Sequence, residues 1–221
     1  MRRSVSSAVR PFVLATLLAT LSAGCERGVS LDKEAATRSP RETIEGLLAV
    51  RKDGSYGRMR SFILPERADE VIQTLSAIDE FLLANRNLCN YVRDEIGIGF
   101  AELIDQAPVA GNLEVFSPYV QLASETVSGD HAQVSFQIDG RLPVKRAELV
   151  LREGRWFYDP GEGFDPALPA AFKQMAHGLR QALEALRAGR PPREAILSDP
   201  EQLVREVRLR LQPGVQMLPM P

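Results

Sequence analysis

Ser128-Gly129-Asp130-His131-Ala132-Gln133-Val134-Ser135-Phe136-Gln137-Ile138-Asp139 is the stretch on which the fold turns. Val134, Phe136 and Ile138 alternate with Ser135, Gln137 and Asp139, the period of a strand with one buried face. The Ser-Gly-Asp-His turn before it is a hairpin signal, so residues 119–127 and 132–139 are predicted to pair as antiparallel strands. Downstream, Pro143 opens a third strand over 144–152, where Ala147, Leu149 and Leu151 alternate with Glu148 and Arg152. Glu153-Gly154-Arg155 turns the chain into Trp156-Phe157-Tyr158, a short aromatic strand ended by Asp159-Pro160-Gly161. The pattern is an antiparallel meander.

On either side the apolar period lengthens to three and four. Ser39-Pro40-Arg41-Glu42 is a capping box with proline at the first helical position, and Ile44, Leu47 and Leu48 follow at helical spacing to Gly54. A short helix over 56–64 stops at Pro65. An amphipathic helix over 66–84 carries Val71, Ile72, Leu75, Ile78, Phe81 and Leu82, and Asn85 and Asn87 are expected to break it. Residues 88–105 are helical again, weakened at Gly97 and Gly99. Past the meander, Leu168, Phe172, Met175, Leu179, Ala182 and Leu186 form a near-heptad stripe capped by Gly189. A linker at 190–193 leads to Asp199-Pro200-Glu201-Gln202, a second helix start, and the chain is expected to fray from Pro213 to Pro221. Helices, then a meander, then helices make an α+β fold.

The first 25 residues address the chain. Arg2, Arg3 and Arg10 precede an uncharged run from Pro11 to Gly24, too short to span a bilayer, which needs about 20 residues, but right for a secretory leader. The pair Arg2-Arg3 lacks the apolar residues that twin-arginine export expects behind it. The leader ends in Leu21-Ser22-Ala23-Gly24-Cys25, which closely resembles the lipobox of bacterial lipoproteins. The resemblance implies cleavage before Cys25 and a diacylglyceryl group on its thiol. A thiol is required there because the thiolate is the nucleophile that takes the lipid. Glu26 follows the cysteine, and by resemblance to Gram-negative sorting favours the periplasmic face of the outer membrane. Residues 25–38 then form a lipidated polar tether. Cleavage removes three arginines and no acid, so a net charge of −2 becomes −5. Electrostatic attraction to an anionic membrane gains nothing from that charge, and anchoring falls to the acyl chains. Near-neutral charge also gives no footprint for nucleic acid.

The opening of the first helix at Ser39-Pro40-Arg41-Glu42-Thr43-Ile44, the hairpin at Ser128–Val134 and the last strand at Glu153-Gly154-Arg155-Trp156-Phe157 are together similar to the nuclear transport factor 2-like superfamily. The resemblance covers residues 39–160. It implies a curved sheet wrapping a helix, a cone with a pocket, followed here by an amphipathic helix at 164–189 and a linker, short helix and tail at 190–221. Residues 66–105 depart from that pattern by their long helical content. Enzymes of the superfamily, such as cyclases and isomerases, usually place an acid–base pair in the cone.

The residues offer little for such chemistry. His131 falls at the hairpin tip and His177 on the 167–188 helix, neither with a neighbour at metal-ligand spacing. Cys89 is alone once Cys25 carries lipid, and reads as a small apolar group. Asp69-Glu70, Asp79-Glu80 and Asp94-Glu95 read as solvated helix faces. There is no phosphate loop, Gly-x-Ser-x-Gly or Gly-x-Gly-x-x-Gly motif, and no catalytic residue, metal or cofactor is nominated. Phe136, Trp156 and Tyr158 either fill the core or line a pocket. The expectation is a membrane-anchored binding or envelope-interaction module. The alternatives are a small-molecule enzyme using the cone, and a structural oligomer or partner-binding protein acting through the 168–186 helix.

Overall fold

The computed structural model describes residues 38–110, 113–162 and 164–218. The leader, Cys25 and the tether up to residue 37 lie outside the described residues. Helix α1 (Pro40–Lys52) starts at the capping box: the Ser39 hydroxyl accepts from the Glu42 amide at 3.2 Å, and the Glu42 carboxylate accepts from the Ser39 amide at 2.7 Å. Its buried face of Ile44, Leu47 and Val50 lies on the sheet. A one-turn helix α2 (Tyr56–Met59) and then α3 (Pro65–Glu95) follow.

The sheet consists of β1 (Val120–Ser128), β2 (His131–Ile138), β3 (Arg141–Arg152) and β4 (Arg155–Asp159). It is antiparallel in the order β1-β2-β3-β4 and is open. Ala132 pairs with Leu149, Val134 with Ala147 and Leu149 with Tyr158, which sets these five on the core side. Glu125 accepts the Arg41 backbone amide at 2.9 Å, and the Arg41 guanidinium reaches the Leu122 and Ala123 carbonyls, so the start of α1 covers part of the β1 edge. The register of β1 shifts between Leu122 and Glu125, a second device against edge pairing.

Behind α3 lie α4 (Ile98–Ile104), α5 (Leu168–Arg187), α6 (Arg193–Ser198) and α7 (Glu201–Val215). Helix α5 packs along both α3 and α7. The α5–α7 approach is set by glycine: a Cβ on Gly178 would stand 2.2 Å from the Arg210 carbonyl oxygen, and one on Gly214 2.8 Å from that of Ala171. One hydrophobic core runs from Ile44 in α1 through Phe136 and Tyr158 in the sheet to Leu211 in α7. Seven α-helices and a four-stranded antiparallel sheet among the described residues make the α+β class.

Several expected boundaries move. Helix α3 runs unbroken through Asn85 and Asn87 for 31 residues, about 45 Å. Asn85 does not compete with its own backbone, because its side chain is occupied elsewhere: the amide donates to Asp105 at 2.6 Å and the carbonyl accepts the Gln106 amide at 2.9 Å. The break comes at Gly97, whose φ of 153° suits glycine. Pro65 starts a helix instead of stopping one. Leu64 before it is extended, and residues 62–64 run beside β4, with Tyr158 donating to Phe62 at 2.8 Å and accepting from Leu64 at 3.0 Å. Strand β3 begins at Arg141, ahead of Pro143. Helix α7 continues past Pro213 to Val215, held by the seat of Gly214 against Ala171 and Met175.

Candidate functional site

Two adjoining clefts of about 670 and 420 Å³ form a groove along one side of α3. Both are lined by Leu82, Arg86, Leu113, Ser117 and Pro118. The α3 wall is a stripe at helical spacing: Asp79, Leu82, Leu83, Arg86, Asn90 and Arg93. From Asp79 to Arg93 it extends about 21 Å. The facing wall is built from residues 105–110 and 113–119, with 3₁₀ turns at Ala107–Ala110 and Glu114–Phe116. The end of α1 closes one mouth with Leu48, Arg51 and Lys52.

Arg51, Asp79 and Tyr56 form the polar anchor of the first cleft. The Arg51 guanidinium donates twice to the Asp79 carboxylate, at 2.7 and 3.2 Å, and also to the Phe116 carbonyl, while stacking 5.8 Å from the Phe116 ring. The Tyr56 hydroxyl donates to the same carboxylate at 2.7 Å. Burial, and then the bond to Asp79, holds the Tyr56 phenol well above its ordinary pKa. Asp79 is thus saturated by three donors, which ties α1, α2, α3 and the 114–116 turn together.

Cys89 lines the second cleft. It is buried, its thiol points at the Asn85 carbonyl 3.8 Å away, and burial with the nearby Asp105 charge pushes its pKa up to about 11. Asp105 accepts from Asn85 and from the Ala107 amide at 2.9 Å. Ser117 is buried where the clefts join, and its oxygen accepts the Tyr119 amide at 3.3 Å. Its hydroxyl proton is left to donate. Lys52, Arg86 and Arg93 stand exposed along the groove with no acid partner among the described residues.

No protein-family model, curated protein or solved structure matches this chain. The site therefore rests on its own geometry.

The residues singled out from sequence are dispersed. Phe136 and Tyr158 are buried in the core, with Tyr158 edge-on to Phe116 at 5.5 Å, and Trp156 is half-buried against the same core; none of the three lines either cleft. His131 is exposed at the β1–β2 turn, 3.7 Å from the Asp130 carboxylate. His177 is exposed on α5, with Nε2 2.9 Å from the Gln181 side chain. Cys25 lies outside the described residues. The apolar residues of the 168–186 stripe are taken up by α3 and α7, and Ala171, Ala176 and Leu183 are buried with them. Among the described residues no group of three or more His, Cys, Asp or Glu side chains is placed to hold a metal.

Sequence reasoning misses Arg51, Arg86 and Arg93 and reads Asp79 as part of a solvated face, whereas Asp79 is bonded to Arg51 and Tyr56. The Asp79-Glu80 pair divides: Asp79 faces the groove, while Glu80 bonds Arg180 at 2.8 Å on another side of the helix. The signal that finds the groove is the 79-82-83-86-90-93 stripe, which appears only when α3 is read as unbroken.

Proposed function

We propose that the protein is an exported lipoprotein held in a membrane through acylated Cys25, and that its α+β body binds a ligand without transforming it. The lipobox at Leu21–Cys25 and the basic, then apolar, leader support the anchor. No helix among the described residues is long and apolar enough to cross a membrane; in this reading acyl chains at Cys25 supply the attachment. Residues 26–38 are the polar tether between Cys25 and the Ser39 cap in the sequence, and Glu26 favours the periplasmic face of an outer membrane where the cell has two membranes. The placement of α1 on the core side of an open antiparallel sheet supports a nuclear transport factor 2-like arrangement, with the sheet curving about α1 as a cone.

The observation that carries binding over catalysis is the state of the groove's titratable groups. Both oxygens of the Asp79 carboxylate are engaged, one by Arg51 and the other by Arg51 and Tyr56. The Cys89 thiol is held protonated, and both histidines stand on other surfaces. A groove with cations, apolar walls and no poised acid or base is built to hold. A protein partner or second copy meeting the 168–186 helix would meet its polar side, including Lys173, His177 and Glu184.

Metabolic labelling with radioactive palmitate tests the anchor. The wild-type protein is expected to take the label and sediment with membranes, and Cys25→Ser to lose both. Retention of label or membrane association by Cys25→Ser overturns the proposal.

A further inference from the structure

The groove along α3 joins two chemistries that no internal contact uses up. Its walls are apolar: Leu48, Leu82, Leu113 and Phe116 line the first cleft, and Leu83 is 54% exposed at its rim. Its free charges are all positive. Arg51 is neutralised by Asp79, and Asp105 is satisfied by Asn85 and the Ala107 amide. Lys52, Arg86 and Arg93 have no such partner among the described residues, although the overall chain carries a net charge of −2. On other surfaces arginines are commonly paired, as Arg152 is with Glu66, Arg180 with Glu80 and Arg210 with Glu206. Unpaired cations gathered beside an apolar trough mark the place where an external anion completes the site.

We infer that this groove binds a small anionic amphiphile, a single molecule with one phosphate or carboxylate head and an apolar tail. The head lies at Arg86, where the two clefts meet, between the flanking Arg93 and the free hydroxyl proton of Ser117. Arg93 stands two helical turns along the same stripe, about 10 Å in rise, on the wall of the second cleft that Arg86 also lines. The tail lies over Leu82, Leu83 and Leu48 in the larger cleft. Its volume of about 670 Å³ is within the range of small-molecule sites, and its three-sided enclosure favours a monomer over a bilayer surface. The inference rests on reading the body as a binding module and adds the class of ligand.

Cys89 supplies a local readout, because it lines the second cleft and is the one thiol left in a full chain carrying Cys25→Ser. Alkylation of Cys89 by iodoacetamide is followed while decyl phosphate is added below its micelle concentration. Saturable slowing of at least tenfold is expected, and decanoate should act likewise. Inorganic phosphate, which lacks the tail, and decyl maltoside, which lacks the charge, should have no effect over the same range. Arg86→Gln with Arg93→Gln should raise the half-saturating concentration at least tenfold, equivalent to about 1.4 kcal/mol. Leu83→Glu, at a site exposed enough to tolerate it, should do the same, with circular dichroism reporting the fold of each variant. Equal protection by decyl maltoside, an unchanged half-saturation in the arginine variant, or protection by phosphatidylglycerol vesicles alone overturns the inference. This chain cannot be lipidated, so its result is independent of the palmitate experiment.

Discussion

Replacing Asp79 with alanine removes the acceptor that unites Arg51 and Tyr56 and should destabilise the fold measurably. The Arg51 side chain is only 11% exposed and that of Asp79 29%, so the pair sits between a surface ion pair, worth about 0–1 kcal/mol, and a buried one, whose breakage costs about 3–5 kcal/mol. Without Asp79 the guanidinium keeps only the Phe116 carbonyl, and the Tyr56 hydroxyl loses its 2.7 Å acceptor. Alanine recovers a few tenths of a kcal/mol in helix propensity. A net loss of about 2 kcal/mol follows, which lowers the Tm of a chain this size by about 4–8 °C. Tyr56→Phe should cost about 1 kcal/mol alone and almost nothing on top of Asp79→Ala, since the two share one network. Urea unfolding followed by far-ultraviolet circular dichroism and by fluorescence of Trp156, the only tryptophan, measures all three. If Asp79→Ala falls within 0.5 kcal/mol of wild type (about the usual scatter for surface substitutions), or the two effects simply add, the anchor is not the clamp described.

Other perturbations probe separate joints. Gly178→Ala places a methyl against the Arg210 carbonyl and should force α7 from α5; overpacking of about 1–3 kcal/mol is partly offset by helix propensity, leaving a net loss of about 1–2 kcal/mol in the same unfolding assay. Asn85→Ala strands the Gln106 amide and weakens the seat of Asp105, for a cost of about 2 kcal/mol, and hydrogen exchange should quicken first at residues 104–107. The alkylation rate of Cys89 should rise with an apparent pKa of about 11, against a lower ordinary thiol value in the urea-unfolded chain. A thiol pKa raised by folding means the native state holds the proton longer. Its contribution to stability is therefore full below the unfolded value and declines as pH rises through the folded one.

How far the sequence discloses the structure depends on where the information sits. The capping box at Ser39, the alternation from Val134 to Ile138 and the glycine turns are local, and they place α1 and three of the four strands within a residue or two, while β3 starts three residues earlier than expected. The continuity of α3 is not local. It depends on Asn85 finding Asp105 and Gln106, twenty residues further along the chain, and a propensity argument sees only a helix breaker. The same misreading hides the groove, because Asp79 and Arg93 share a wall only along one unbroken helix. The α5 stripe is legible from Leu168 to Leu186, but the closeness of α7 depends on Gly178, which carries no hydrophobic signal and whose Cβ would meet the Arg210 carbonyl. The aromatic run at 156–158 draws notice from its composition, yet the ligand-sized space lies beyond α1, where apolar side chains are mixed with arginines.

Whether the protein is the exported lipoprotein proposed is decided at its N-terminus, by the mass of the N-terminal peptide of the protein isolated from cells. A mature chain that begins at Cys25 and carries a diacylglyceryl group on the thiol is expected. A chain that begins at any other residue, or an unmodified Cys25, contradicts the proposal.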